Sequence, residues 1–111
     1  MGRLLIGKSE ELAEGRTIKF SFKQDGISYD GFAARFQGQV VAYFNRCMHI
    51  PVNLDYGDNR FFRGDGKYFI CQAHGATYEP LTGKCVEGPC SGGKLKKLVI
   101  EEQDQELWVQ F

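Results

Sequence analysis

Two short stretches decide how this chain is read: "CMHIPV" at 47–52 and "CQAHGATY" at 71–78. Each sets a cysteine beside a histidine, with one residue between them in the first and two in the second. Taken singly, Cys47 and Cys71 read as buried thiols, and His49 and His74 as surface histidines. Together they read differently, because the chain has only two His and both fall at ligand spacing from a Cys. Zinc and iron both accept thiolate sulfur and imidazole nitrogen. Zinc knuckles usually draw Cys pairs two to four residues apart, whereas the first pair here is Cys-x-His. On an extended loop, residues i and i+2 point the same way but stand too far apart to share one tetrahedral ion without strain. They could instead reach two metals a few ångströms apart. The second loop would then complete both, with one iron taking the two thiolates and the other the two imidazoles.

Outward from these loops the pattern is β. "RTIKFSFKQ" at 16–24 alternates Ile18, Phe20 and Phe22 on one face with Thr17, Lys19 and Ser21 on the other, the period of a half-buried strand. Gly26 marks a turn. "GFAARF" and "QVVAYFN" form a predicted hairpin through Gln37 and Gly38, its second strand rich in β-branched and aromatic residues and so central. The pattern returns in "KLKKLVIEE" and "ELWVQF", with "QDQ" as the turn. The one helical turn expected is "SEELAEG", capped by Ser9 and ended by Gly15. Between the halves, 47–90 holds all four Cys, both His and all three Pro. Short strands at 60–63 and 67–71, turning through "GDG", interrupt it. The fold class expected is all-β. An antiparallel β-sandwich or barrel is built from both ends of the chain, and a small cluster-binding subdomain is inserted at about 46–90.

Length and composition set the frame. The 111 residues suit a single domain, 1–111, and 42% apolar content with nine Phe and five Tyr gives it a real core. The formal net charge of zero favours neither a nucleic-acid nor an anionic-membrane partner. The apolar run at 4–6 is too short for a signal-peptide core or a membrane span, and no later segment approaches membrane-spanning length. "MGRLLI" opens like a myristoylation site but has Ile6 where Ser or Thr is needed. The expected location is therefore cytoplasmic, where Cys residues bind metal or stay as thiols.

The spacing Cys-x-His, 21 intervening residues, then Cys-x-x-His-Gly resembles the Rieske [2Fe-2S] family, in which two His replace two Cys on one iron. "HGATYEPLTGKCVEGP" is similar to that family's second cluster loop and to the Gly-Pro loop that lies over the cluster. The resemblance covers residues 39–100 well and the N-terminal part by β pattern. It implies that Cys47 and Cys71 hold the inner ferric iron and that His49 and His74 hold the outer, redox-active iron. The chain also departs from the family's respiratory members. Val52 and Ala73 stand where those carry two further Cys joined as a disulfide. Ala76 stands where they place a Ser that donates to a bridging sulfide, and Tyr78 retains a donor toward a Cys sulfur. Each lost donor lowers the potential, so it is expected near the low end of the Rieske range, about −150 mV. Cys85 and Cys90 are expected to be structural thiols, with a disulfide or redox pair as the other reading. Phe61 and Phe62 either pack under the loop or offer a docking contact.

No phosphate-cradling Gly loop, nicotinamide fingerprint or mononuclear iron site accompanies the four ligands. The resemblance implies a non-enzymatic one-electron carrier, a soluble ferredoxin between a reductase and an oxygenase or similar terminal enzyme. Two alternatives stand beside it: a small Rieske subunit or regulatory module of a larger oxidoreductase, and a zinc-stabilised binding module.

Overall fold

The computed structural model of the chain describes residues 2–46, 54, 61–64, 66–71, 75–88 and 93–111. Six strands make one antiparallel sheet: β1 (Arg3–Lys8), β2 (Thr17–Gln24), β3 (Ile27–Phe36), β4 (Gln39–Phe44), β8 (Lys97–Gln103) and β9 (Glu106–Gln110). Their order is β1-β9-β8-β4-β3-β2, so β4 is central, as its composition predicts. The sheet curls on itself, bringing Gly7 of β1 against Ile18 of β2. Three short strands, β5 (Phe69–Ile70), β6 (Thr77–Tyr78) and β7 (Cys85–Glu87), form a second antiparallel sheet.

Local chemistry explains the hairpins. Gln24 pairs with Ile27 and Phe36 with Gln39, leaving two-residue turns at Asp25-Gly26 and Gln37-Gly38. Both residues of each turn have positive φ (54° and 79°; 53° and 77°), which matches the right-handed twist of the flanking strands. The β8–β9 turn is built the same way from Asp104 and Gln105.

Alternation sorts the side chains into two cores. Inside the curled sheet lie Phe22, Ala33, Ala42, Leu98, Leu107 and Val109, with Ile18 and Phe20 packed against them as predicted. The second core lies on the sheet's outer side. There Phe32, Ala34, Val41 and Tyr43 of β3 and β4 meet Leu54, Phe61, Phe69, Cys71, Tyr78 and Leu95. Phe32 stacks on Phe61 at 4.1 Å and meets Phe69 edge-on at 5.1 Å. Such ring contacts add about 0.5–1.5 kcal/mol each beyond area burial. Phe61 and Phe62 therefore both pack beneath the inserted region; Phe62 is partly buried, 4.9 Å from Phe69.

The structure corrects the reading of the N-terminus. The 4–6 run is part of strand β1, with Leu4 and Ile6 facing the inner core and Leu5 outward. It escapes period-based detection because the register slips between Leu5 and Gly7. The helical turn shrinks to a 3-10 turn over Ser9–Glu11 that is capped by Lys8, not Ser9. The Glu11 carboxylate accepts the Lys8 amide at 2.7 Å, and pairing of the Ser9 amide with Gln105 O (2.8 Å) anchors the segment to the β8–β9 turn. Gly15 keeps a positive φ of 78°, but it ends the following loop, where its amide donates to Arg35 O.

Candidate cluster site

Of the four predicted ligands the structure describes Cys71; Cys47, His49 and His74 lie outside the described residues, as do Val52, Ala73 and Cys90. Among the described residues no group of three His, Cys, Asp or Glu comes together.

Cys71 leaves β5 fully buried in the outer core. Its amide donates to Ala76 O and its carbonyl accepts from the Gly75 amide, both at 2.8 Å. Cys71 is thus hydrogen-bonded to Gly75 and Ala76, with its thiol buried and Gly75 at φ 75°. Thr77 Oγ1 donates to Gly75 O at 3.1 Å. Ala76 and Tyr78 follow, both fully buried beside Cys71 in the same cluster.

The base of the other ligand loop is fixed by a residue the sequence reading passed over. Asn45, buried just after β4, accepts the Leu54 amide on Oδ1 at 2.8 Å, and its own amide donates to Asp30 O at 2.9 Å. Asn45 thereby fixes Leu54 through its side chain and itself to β3 through its backbone, at the two ends of the segment that holds Cys47 and His49 in sequence. The only signal was a lone Asn after an apolar strand, and Asn at a strand end also reads as ordinary turn chemistry.

A third segment closes on the second. Gly88 has φ 97°, and a β-carbon placed on it would fall 2.8 Å from Ala76 Cα and 3.3 Å from Gly75 O. Backbone thus lies on backbone with no room for a side chain. Cys85, at the start of β7, is buried as the structural reading expects, with Sγ 3.3 Å from Glu87 O. The inserted sheet is bolted to the main one by Tyr43, whose hydroxyl donates to Pro80 O at 2.7 Å. Burial first, and the nearby Glu79 carboxylate second, push the Tyr43 hydroxyl up to about 12, so it stays a neutral donor.

Fold and site together define a small antiparallel β-protein with a buried thiol, Cys71, hydrogen-bonded through its backbone to Gly75 and Ala76. The profile of the Rieske [2Fe-2S] domain matches residues 2–103. The cytochrome b6-f complex iron-sulfur subunit of Chlorobaculum thiosulfatiphilum is 30% identical over 86 residues, covering 78% of this chain. The chain spans about 41% of that relative's length. Among solved structures, the ferredoxin of carbazole 1,9a-dioxygenase from Nocardioides aromaticivorans IC177 superposes with a TM-score of 0.73 at 21% identity, covering 98% of this chain and 97% of that one. A complex of reduced oxygenase and oxidised ferredoxin in carbazole 1,9a-dioxygenase gives 0.74 at 21% identity, over 96% and 91%. The chain belongs to the Rieske [2Fe-2S] domain family, and its cofactor is a [2Fe-2S] cluster.

The described part of the site fits that group. Thiolates and imidazoles are the donors such a cluster takes, and the one described candidate among them, the Cys71 thiol, is buried. The zinc-stabilised alternative is set aside.

Proposed function

We propose that the protein is a one-electron carrier, a ferredoxin passing electrons from a reductase to an oxygenase or similar terminal enzyme. Cys47 and Cys71 hold one iron, and His49 and His74 the other. The 111 residues act as one domain, with the cluster subdomain at about 46–90. The observation that carries the reading is the two-way overlap, 98% and 97%, with a ferredoxin of an oxygenase system.

When bound, the cluster supplies reversible uptake of a single electron; the chain's residues set its energy and its insulation. Two ferric ions, two sulfides and two thiolates sum to a neutral oxidised state and a singly negative reduced one. Neutral imidazoles thus favour reduction relative to an all-thiolate set. Burial of Cys71, Ala76 and Tyr78 keeps water from one side, whereas apolar Ala76 offers no hydroxyl to the added charge. This supports a potential near the low end of the family's range, about −150 mV. The cytoplasm suits a chain whose cysteines serve as ligands and thiols, and no helix among the described residues is long and apolar enough to cross a membrane.

A second reading, a Rieske subunit of a larger oxidoreductase, draws on the cytochrome b6-f relative. Val52 and Ala73 weigh against it, since they replace the disulfide that such members carry. The test is purification and reduction. A red-brown protein should give a rhombic paramagnetic resonance signal with average g below that of all-Cys clusters. It should then be oxidised rapidly by a Rieske oxygenase in stopped-flow mixing. A signal of the right shape with no electron passed to any oxygenase would favour the subunit reading.

A further inference from the structure

Tyr and Cys apart, the described residues bury only two polar side chains, Asn45 at 3% exposure and Thr77 at 2%. Each stands beside one of the two ligand pairs. Asn45 precedes Cys47 by two residues, and its Oδ1 accepts at 2.8 Å the amide of Leu54, which lies beyond His49 in sequence. Thr77 follows His74 by three residues, and its hydroxyl donates to the Gly75 carbonyl at 3.1 Å. A polar group is costly to bury unless it is hydrogen-bonded, and Leu or Val would fill much the same volume without that cost. Packing alone therefore does not require Asn and Thr at these two places.

What each bond fixes is backbone close in sequence to a predicted ligand. Gly75 has φ 75°, and glycine has the widest choice of φ and ψ of any residue. Two hydrogen bonds remove that choice. The Gly75 amide donates to Cys71 O at 2.8 Å, and the Gly75 carbonyl accepts from Thr77. The peptide group on each side of Gly75 is therefore held, and the first of them joins it to His74. Leu54 is also held twice. Its side chain is fully buried in the outer core that contains Cys71, and its amide is taken by Asn45. Asn45 is itself fixed to β3, its amide donating to Asp30 O at 2.9 Å. Residues 45 and 54, which flank Cys47 and His49 in sequence, are thus joined by one side-chain oxygen.

We propose that Asn45 and Thr77 are positioning residues for the cluster, one on each ligand loop. They act through the backbone that carries the ligands. The proposal rests on the reading of Cys47, His49, Cys71 and His74 as those ligands. Supporting groups of this kind narrow the range of geometries open to a ligand and so tune the centre it holds. A loop released at its foot spreads over more geometries and gives up its metal sooner.

Near-isosteric variants of the iron-loaded protein test this. Asn45→Leu and Thr77→Val remove the bonding atom and keep most of the volume, whereas Asn45→Asp and Thr77→Ser keep the atom. The g-line widths of the reduced, frozen protein record the spread of ligand geometries, which a loss of stability alone does not change. The rate of bleaching by a chelator records how firmly the loops hold. Asn45→Leu and Thr77→Val should each broaden the lines and bleach about five- to tenfold faster, the factor carried by one net hydrogen bond. Asn45→Asp and Thr77→Ser should return both readouts to near wild type. If Asn45→Leu does not fold, Asn45→Ser, whose shorter side chain withdraws the oxygen, takes its place with the same expectation. Wild-type line widths and bleaching in either isostere overturn the proposal, as do Asp and Ser variants that behave like Leu and Val. A lower melting temperature with unchanged lines would make the bonds purely structural, also against it. A wild type with no rhombic signal would instead sink the ligand reading, and the proposal with it.

Discussion

Ala76 shows how one atom sets the energy of the site. It is fully buried one turn after Cys71, where respiratory relatives are expected to carry a hydroxyl aimed at a bridging sulfide. A donor there stabilises the more negative reduced state. A net hydrogen bond of about 1 kcal/mol corresponds to roughly 40 mV for one electron. Ala76→Ser should therefore raise the midpoint potential by about that much in a redox titration, and an unchanged potential would mean that no sulfide lies within reach. Tyr43 acts through stability instead. Its hydroxyl is neutral in the folded protein up to about 12 but ionises near its ordinary value of 10.0 once unfolded. Between those values the folded state binds one more proton, so stability is fully present below pH 10 and falls as the pH rises toward 12. Thermal melts from pH 8 to 11 should show this loss in the wild type. Tyr43→Phe should flatten it while costing about 1–2 kcal/mol at neutral pH, because Pro80 O loses its donor.

At the scale of elements, the inserted region depends on backbone fit. Gly88 rests on the Gly75–Ala76 backbone, and a side chain there forces one segment away. Water reaching a cluster that gains negative charge on reduction favours the reduced form. Gly88→Ala should thus raise the midpoint potential and speed bleaching by a chelator. Gly66→Ala is the control: its φ of 70° carries similar backbone strain, but open space surrounds it. It should lower the melting temperature and leave the potential alone. Equal potentials in both variants would show that the Gly88 contact is structural only. The elements themselves were unequally legible. Strands β2, β3, β4, β8 and β9 follow from alternation and from turn pairs such as Gln37-Gly38, because one face of each is buried along its length. β6 and β7, two and three residues long, are too short to show any period. β1 is masked by its register slip, and Asn45 by the many other reasons an Asn ends a strand. The family was legible from the Cys and His spacing, because cluster chemistry tolerates few alternatives; the positions of Cys47, His49 and His74 lie outside the described residues.

The whole molecule consists of two cores that share β3 and β4 but no buried side chain. The inner core draws only on residues between Leu4 and Phe44 and between Leu98 and Phe111. Among the described residues nothing in it comes from the cluster region, so the curled sheet can keep its apolar interior without metal. The outer core draws on both sides: Phe32 and Tyr43 from the sheet, and Phe61, Phe69, Cys71 and Tyr78 from the insertion. The insertion's own sheet has strands of two, two and three residues, too little pairing to stand alone. Two of the predicted ligands lie on each of the two cluster loops, so cluster binding cross-links them, and metal affinity becomes folding energy for this half of the protein. Removing iron should unfold the protein in two stages rather than one. Hydrogen exchange on the chelated protein should show protection retained across β2, β3, β4, β8 and β9 and lost across 61–88. The bared outer faces of Phe32, Val41 and Tyr43 should then bind a hydrophobic dye. Loss of protection from the whole sheet at once would mean that the outer core, and not the inner one, holds the barrel closed.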